Sequence, residues 1–131
     1  MRSRFWLNQF RAVTWVGIAA NFVLGGLGLV DPGLLLGILG IDRPYPLDWQ
    51  RAVFFLLVIV TLLYVPAAVD PVRNHLTARL AIVARICGTT FFALLGGKFL
   101  LFSVYDAFFC VLQIACFLPA FGGADKAVRN A

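Results

Sequence analysis

The stretch AVTWVGIAANFVLGGLGLV, residues 12–30, decides the fold of this chain. It carries no charged side chain, and an α-helix of its length extends about 28 Å, close to the hydrocarbon thickness of a bilayer. Asp31 and Pro32 follow it, and proline cannot continue the hydrogen bonding of a helix. Because the stretch is longer than the apolar region of a secretory signal and lacks a persuasive cleavage site, we expect it to be retained as a transmembrane span.

The composition of the whole chain has the same character. Of its 131 residues, 62% are hydrophobic and 13% are charged, whereas a soluble domain is about half apolar and about a quarter charged. A chain of this length cannot bury such an excess in one small core, so we predict an integral membrane protein. The net charge is +5, and its position at span ends suits lipid headgroups and membrane orientation better than a nucleic-acid partner.

Three further apolar stretches predict three more spans, at residues 52–69, 79–102 and 104–118. Between the first two spans, residues 34–41 (LLLGILGI) are apolar but too short to cross a bilayer, which indicates an interfacial or re-entrant helix. The predicted fold is therefore all-α. It is one integral membrane domain over residues 1–131, a four-transmembrane-helix bundle with a short interfacial helix after the first span.

Prolines mark the ends of spans. Val-Asp-Pro occurs at residues 30–32 and again at 69–71, each time after a span, and we interpret it as one stop-and-restart device used twice. Pro66 predicts a local kink near the end of the second span. Tyr45 and Trp49 precede that span and fit an aromatic belt at the membrane interface.

The turn between the third and fourth spans has two candidate positions. A turn at residues 96–98 (Gly-Gly-Lys) would place Asp106 well inside the fourth span. A turn at Ser103 would make residues 103–106 a capping box that opens the fourth helix, with Asp106 near water. We favour Ser103 because it hydrates the carboxylate and caps free amides.

The distribution of basic residues predicts the orientation. With the N-terminus inside, eight basic residues fall in inner segments and three in outer segments. The inner set is Arg2, Arg4, Arg11, Arg73, Arg79, Arg85, Lys126 and Arg129, and the outer set is Arg43, Arg51 and Lys98. The positive-inside rule therefore predicts a multi-pass protein of the inner (cell) membrane with both termini in the cytoplasm.

Arg85 is the most informative single residue. If Arg79 marks the inner interface, Arg85 lies about 9 Å deeper along an ideal helix, where a charge is expensive unless paired or hydrated. We expect its side chain to snorkel to the inner headgroups. A buried pair with Asp106, polar contacts with Gln113 or Asn21, and a bound anionic ligand or lipid headgroup are the alternatives.

Other polar residues lie inside spans. Asn21 is in the first, Thr89 and Thr90 are in the third, and Gln113 is in the fourth. Such side chains commonly hydrogen-bond across helices, at about 0.6 kcal/mol each, so structural contacts are the first interpretation. The alternative is a polar pocket for a lipid or quinone head, with Arg85, Asn21, Gln113 and Asp106 as its ligand-binding residues.

Small residues in the first and third spans predict close helix packing, against each other or against a partner. The glycines concerned are Gly17, Gly25, Gly26, Gly28, Gly88, Gly96 and Gly97.

Nothing in the sequence indicates catalysis by this chain alone. It contains no nucleophile elbow, phosphate-binding loop or metalloprotease motif, and no glutamate. Cys87, Cys110 and Cys116 form no CxxC pair, and His75 is the single histidine, so we expect neither a metal site nor a haem bound within one chain. A proton-coupled exporter would need a carboxylate inside the membrane, and the first span has none.

Several features resemble the DoxX-like group of small four-helix membrane proteins. An arginine opens a first span that is rich in glycine (Gly25-Gly26-Leu27-Gly28), and a proline and a short apolar stretch ending at Gly40 follow. The third span carries Arg85-Ile86-Cys87-Gly88, similar to the group's Arg-x-x-Gly. The resemblance implies a four-helix fold. Some members of the group are subunits of quinone-linked oxidoreductases. The resemblance implies no catalytic residue for this chain.

Three functions follow as hypotheses. The first is a non-catalytic accessory or scaffold subunit of a larger membrane complex, redox-linked or respiratory by analogy with the family, whose partners are larger subunits or further copies of itself. The second is a small protein that binds or transports a lipid or quinone, with no cofactor held by this chain alone. The third is a membrane enzyme that uses Asp106 and Arg85, which a deeply buried Asp106 would favour.

Overall fold

A computed structural model describes residues 2–42 and 47–121 of the chain. This part consists of helices and connecting turns, and it contains no strand. The helices are α1 (Arg2–Val30), α2 (Pro32–Ile38), α3 (Leu47–Leu62), α4 (Val65–Val69), α5 (His75–Leu95) and α6 (Leu100–Phe121), with a 3₁₀ turn at Gly97–Phe99 before α6. Four segments are long and apolar enough to cross a membrane: α1, α3 with α4, α5, and α6. The all-α fold with four spans is thus confirmed, and α2 is the short helix predicted after the first.

Helix α1 begins ten residues earlier than the predicted span. Residues 2–11 contain no proline or glycine, so nothing in them stops the helix. Phe10 is fully buried, and Trp6 packs on the same core cluster together with Phe117 near the end of α6. At 29 residues, α1 is about 43 Å long, so its first turns extend beyond a hydrocarbon layer of about 30 Å.

The second span is broken rather than merely kinked. Helix α3 ends at Leu62, and α4 begins at Val65 with Pro66 in its first turn. The ring of a proline clashes with the carbonyl of the residue four positions earlier, which for Pro66 is Leu62. In addition, the Thr61 hydroxyl donates to the Leu57 carbonyl at 2.6 Å, a bond that often bends helices.

Both Val-Asp-Pro sequences end a helix and start the next turn through the aspartate. Asp31 Oδ1 accepts a hydrogen bond from the Leu34 amide at 2.9 Å. Asp70 Oδ1 accepts from the amides of Val72 and Arg73 at 3.1 and 3.0 Å. In each case the carboxylate satisfies backbone amides at the start of the following segment, where no preceding helical turn supplies carbonyl partners. Tyr45, the predicted aromatic-belt residue, lies outside the described residues.

The preferred position of the last turn was wrong. Helix α5 ends at Leu95, and the chain turns at Gly96, where φ is +65° and ψ is −164°. Only glycine adopts this conformation readily, so the glycines decide the position. Ser103 lies inside α6, where its hydroxyl donates to the Thr89 carbonyl of α5 at 2.8 Å. It therefore links two helices and caps none, and Asp106 lies in the second turn of α6.

Four of the predicted packing glycines lie at close helix contacts. A Cβ atom on Gly25 would lie 2.8 Å from Val58 Cγ2, and one on Gly28 would overlap the Phe54 ring, so both bring α1 against α3. One on Gly17 would lie 3.1 Å from Arg85 Nη2, and one on Gly88 would overlap the Asp106 carboxylate.

The other three predicted glycines have no such packing role within the bundle. Gly26, Gly96 and Gly97 have open space where a Cβ atom would be. Gly96 and Gly97 serve the backbone of the turn, where both have positive φ, and Gly26 points away from the other helices.

Helix α1 is the centre of the bundle. It packs against α3 on one side and α6 on the other, while α5 packs against α6 and α4 bridges α1 and α5. Helices α3 and α5 have no comparable contact with each other in the described part of the chain. The bundle is therefore open between them.

Candidate functional site

An ion pair between Arg85 and Asp106 forms the centre of the site. Arg85 Nη1 donates to Asp106 Oδ1 at 2.6 Å, and the two side chains are 4% and 17% exposed. The expected snorkelling of Arg85 was therefore wrong, and the alternative of a buried pair is the one observed. Asp106 is consequently not the interfacial residue that a turn at Ser103 implied.

The position of the turn explains why these two residues meet. Arg85 lies ten residues before the end of α5, or about 15 Å along an α-helix. Asp106 lies six residues into α6, or about 9 Å, and the preceding 3₁₀ turn adds about 6 Å. The two charges therefore reach the same depth, and Gly88 leaves room for the carboxylate against α5.

Aromatic rings cover the guanidinium. Its Cζ atom lies 5.4 Å from the ring centre of Tyr105 and 5.0 Å from that of Phe109, within the range of cation–π attraction. Arg85 Nη2 makes a long contact of 3.5 Å with Asn21 Oδ1. Arg85 Nε is buried and has no hydrogen-bond partner among the described residues, which costs about 1–3 kcal/mol.

Asn21 connects the ion pair to the remaining spans. Its Oδ1 accepts a hydrogen bond from the Tyr105 hydroxyl at 2.7 Å. Its Nδ2 donates to Thr61 Oγ1 of α3 at 3.1 Å. One polar network thus joins α1, α3, α5 and α6 at Arg85, Asp106, Tyr105, Asn21 and Thr61.

Gln113 does not belong to this network. Its Nε2 donates to Thr14 Oγ1 at 3.3 Å, and Thr14 in turn donates to the Phe10 carbonyl at 2.8 Å. This is a second buried link between α1 and α6, and Gln113 does not line the cavity described below. Of the four predicted ligand-binding residues, the structure brings together Arg85, Asp106 and Asn21.

Sequence reasoning missed two tyrosines of the site, Tyr64 and Tyr105. Both lie in spans, and a phenol hydroxyl inside a membrane needs a polar partner. That signal was present in the sequence. Tyr105 finds Asn21, whereas the Tyr64 hydroxyl, beside the cavity, has no hydrogen bond in the described part of the chain.

A cavity of about 640 Å³ lies between α3 and α5, and residues of the polar network form one end of it. Its wall is mostly aliphatic and aromatic, and its polar lining residues are Asn21, Gln50, Tyr64, Arg85, Tyr105 and Asp106. Exposed residues of both helices, among them Val53 and Leu56 of α3 and Cys87 and Phe91 of α5, line its open side. The volume is in the usual range of small-molecule sites.

The chemistry of the site is that of hydrogen bonding in an apolar setting. Within residues 2–42 and 47–121, no three His, Cys or Asp side chains lie close enough together to hold a metal ion. Asp106 is inside the bundle, which meets the condition set for a catalytic role, but its Oδ1 is held by Arg85. The arrangement can orient the polar head of a molecule whose remainder is apolar.

Comparisons with protein-family models, with curated proteins and with solved structures find no match for this chain. The resemblance to the DoxX-like group therefore stays a prediction. The function has to be argued from the geometry of the site itself.

Proposed function

We propose that the chain binds a lipid-like or quinone-like molecule in the cleft between α3 and α5. The observation that carries the proposal is an apolar cavity of about 640 Å³ with one polar network at its base. Such a site is complementary to an amphiphile, because the chain of the ligand contacts the wall and its head meets the few polar groups.

The open side of the cleft supports entry from the bilayer. The residues along it are apolar and belong to membrane-spanning helices, so a molecule dissolved in lipid could enter without crossing water. The unpaired Arg85 Nε supports the same proposal, since a bound head that accepts a hydrogen bond would satisfy it.

The test is the retention of an amphiphile by the purified chain. We expect the protein, extracted in mild detergent, to carry one such molecule in native mass spectrometry. Val60→Phe narrows the cavity, since Val60 lines it, and should reduce occupancy about tenfold or more. Ile59→Phe is the matched control, because the neighbouring Ile59 is exposed outside the cavity. Equal retention by both variants would contradict the proposal.

The second candidate is an accessory subunit of a larger membrane complex, or a homo-oligomer. The specific observation in its favour is the outer face of α1, where small side chains follow one another at helical spacing. They are Ala12, Val16, Ala19, Val23 and Gly26. Such faces allow close approach of another helix. A redox-linked or respiratory complex is suggested by the family analogy alone.

A pull-down from the native membrane tests this candidate. We expect Gly26→Leu to release any stoichiometric partner, since Gly26 faces outward, while occupancy of the cleft is unchanged. A wild-type chain that purifies as a monomer with no partner would rule the candidate out.

A further inference from the structure

We infer that the cleft takes a molecule with an uncharged head that accepts hydrogen bonds, such as an ester or a quinone carbonyl, rather than an anion or a cation. This inference rests on the proposed function and narrows the class of ligand.

The first argument is the charge of the cavity. Its charged lining residues are Arg85 and Asp106, and they are paired at 2.6 Å, so the base of the cavity is neutral overall. An anionic head would have to displace Asp106 from Arg85 or lie beside a second negative charge in an apolar site. A cationic head would have to compete with Arg85 for Asp106. An anionic head that displaces Asp106, or a cationic head that displaces Arg85, leaves a buried charge without its partner, which is strongly unfavourable.

The second argument is the inventory of unsatisfied groups. One unpartnered group of the lining is an acceptor, Gln50 Oε1, but it lies eleven residues before Thr61 along α3, about 16 Å from the polar network. At the network itself, Arg85 is 4% exposed, and its Nε–H lacks a partner among the described residues. The Tyr64 hydroxyl lies at the same cavity and forms no hydrogen bond there either. The Tyr64 hydroxyl can donate directly, and Arg85 Nε–H, which is buried, can donate to a head that reaches the guanidinium. A carbonyl or ester oxygen can accept from them without disturbing the ion pair, whereas a cationic ammonium head offers no acceptor.

Two sources share this chemistry, an acyl ester lipid and a quinone. Cys87 provides a reporter to distinguish them, because it is exposed and lines the cavity while Cys110 and Cys116 are buried. The full chain, labelled at Cys87 with an environment-sensitive fluorophore in dodecylmaltoside, is titrated with four probes. They are methyl hexadecanoate, a long-chain alkylbenzoquinone, hexadecyl sulfate and hexadecyltrimethylammonium.

We expect the ester or the quinone to bind about tenfold or more tightly than either permanently charged probe. Preference for the ester assigns the site to a lipid, and preference for the quinone assigns it to a quinone. If the sulfate or the ammonium probe binds as tightly as the best neutral probe, the inference of an uncharged head is wrong. The proposal that the cleft binds an amphiphile would still stand. If no probe changes the Cys87 signal, the proposed function fails as well.

Two variants sharpen the test. Asp106→Asn removes the negative charge beside Arg85, so the affinity for the sulfate relative to the ester should rise about tenfold. Tyr64→Phe keeps the ring in the core and removes the hydroxyl donor, so the affinity for the preferred neutral probe should fall several-fold. If Asp106→Asn does not fold, the comparison of the four probes on the wild-type protein decides whether the head is uncharged. An unchanged affinity of Tyr64→Phe for the neutral probe would show that the Tyr64 hydroxyl does not bind the head.

Discussion

At the scale of single residues, Gly88 and Gly26 show how differently two mid-span glycines can be used. An added methyl group on Gly88 would meet the Asp106 carboxylate, whereas on Gly26 it would meet open space. We expect Gly88→Ala to lower the free energy of unfolding by about 1–3 kcal/mol, because the ion pair must shift. Gly26→Ala should be neutral or slightly stabilising. Denaturation in mixed micelles, followed by circular dichroism, measures both, and equal effects would contradict the close contact at Gly88.

The ion pair itself calls for a double-mutant cycle. Arg85→Met or Asp106→Leu alone leaves one buried charge unpaired and should cost about 3–5 kcal/mol of unfolding free energy. The double variant removes both charges and should cost much less than the sum. Arg79→Met, at an exposed position of α5, is the control, with an effect of about 0.5 kcal/mol or less. Additive losses would mean that Arg85 and Asp106 are not coupled. If Arg85 instead snorkelled to the headgroups, both single variants would show small losses.

The residues of the site were only partly predictable. Arg85, Asp106 and Asn21 were recognisable because charged and amide groups are costly inside a membrane. Their pairing was one of the alternatives, but the sequence did not decide for it. It depends on the position of the last turn, and a shift of seven residues in that turn moves Asp106 from the bundle to the interface. Thr61 escaped notice because a threonine can satisfy its hydroxyl on its own helix, as Thr61 does with Leu57.

At the scale of elements, the turn before α6 depends on backbone conformation. Gly96 has φ +65° and ψ −164°, a region essentially restricted to glycine. Gly96→Ala should therefore cost about 1–3 kcal/mol of unfolding free energy, although no neighbour obstructs the new methyl group. Gly37→Ala is the matched control, since it also has open space but no positive φ, and it should be neutral. A Gly96→Ala variant as stable as Gly37→Ala would place the strain elsewhere.

Local sequence signals fixed some element boundaries and not others. Pro66 and the two Val-Asp-Pro sequences act through their own backbone chemistry, and the structure has breaks at all three places. The start of α1 is different: the lack of proline and glycine in residues 2–11 permits an early start but does not fix it. It depends on the packing of Phe10 and Trp6 against α6, a contact between distant parts of the chain.

At the scale of the whole molecule, basic residues gather at the two ends of the bundle in unequal numbers. Arg4 and Arg11 lie beside the segment that joins α4 to α5, and Arg11 Nε donates to the Ala68 carbonyl at 3.2 Å. At the other end, Lys98 lies against Gly40. The end with the N-terminus is the more basic one in the described chain, so the positive-inside rule predicts that this end faces the cytoplasm.

Reporter fusions test this orientation. We expect a fluorescent protein fused to the N-terminus or the C-terminus to be active in the cytoplasm. We expect alkaline phosphatase inserted after Asp42, at the opposite end, to be active, because this enzyme is active only on the exported side and we predict that this end is exported. Phosphatase activity from a terminal fusion would reverse the predicted topology.

The short turn at Gly96 also bears on how the protein is made. Arg85 on an isolated helix would cost about 2.5–3.5 kcal/mol to insert at the membrane centre. Because α5 and α6 are joined by one tight turn, they can leave the translocon as a hairpin with Asp106 already beside Arg85. The reporter is a Lys98→Cys variant, whose new thiol is labelled from outside when the third span has inserted. We expect Asp106→Leu to lower the labelled fraction of nascent chains. Adding Arg85→Met to Asp106→Leu should restore that fraction, because no unpaired charge remains. If Asp106→Leu leaves that fraction unchanged, Arg85 inserts without help from Asp106. If the fraction falls, the residue that Arg85 needs for insertion lies 21 positions later in the chain. Insertion of the third span must then wait until the fourth span has been synthesised.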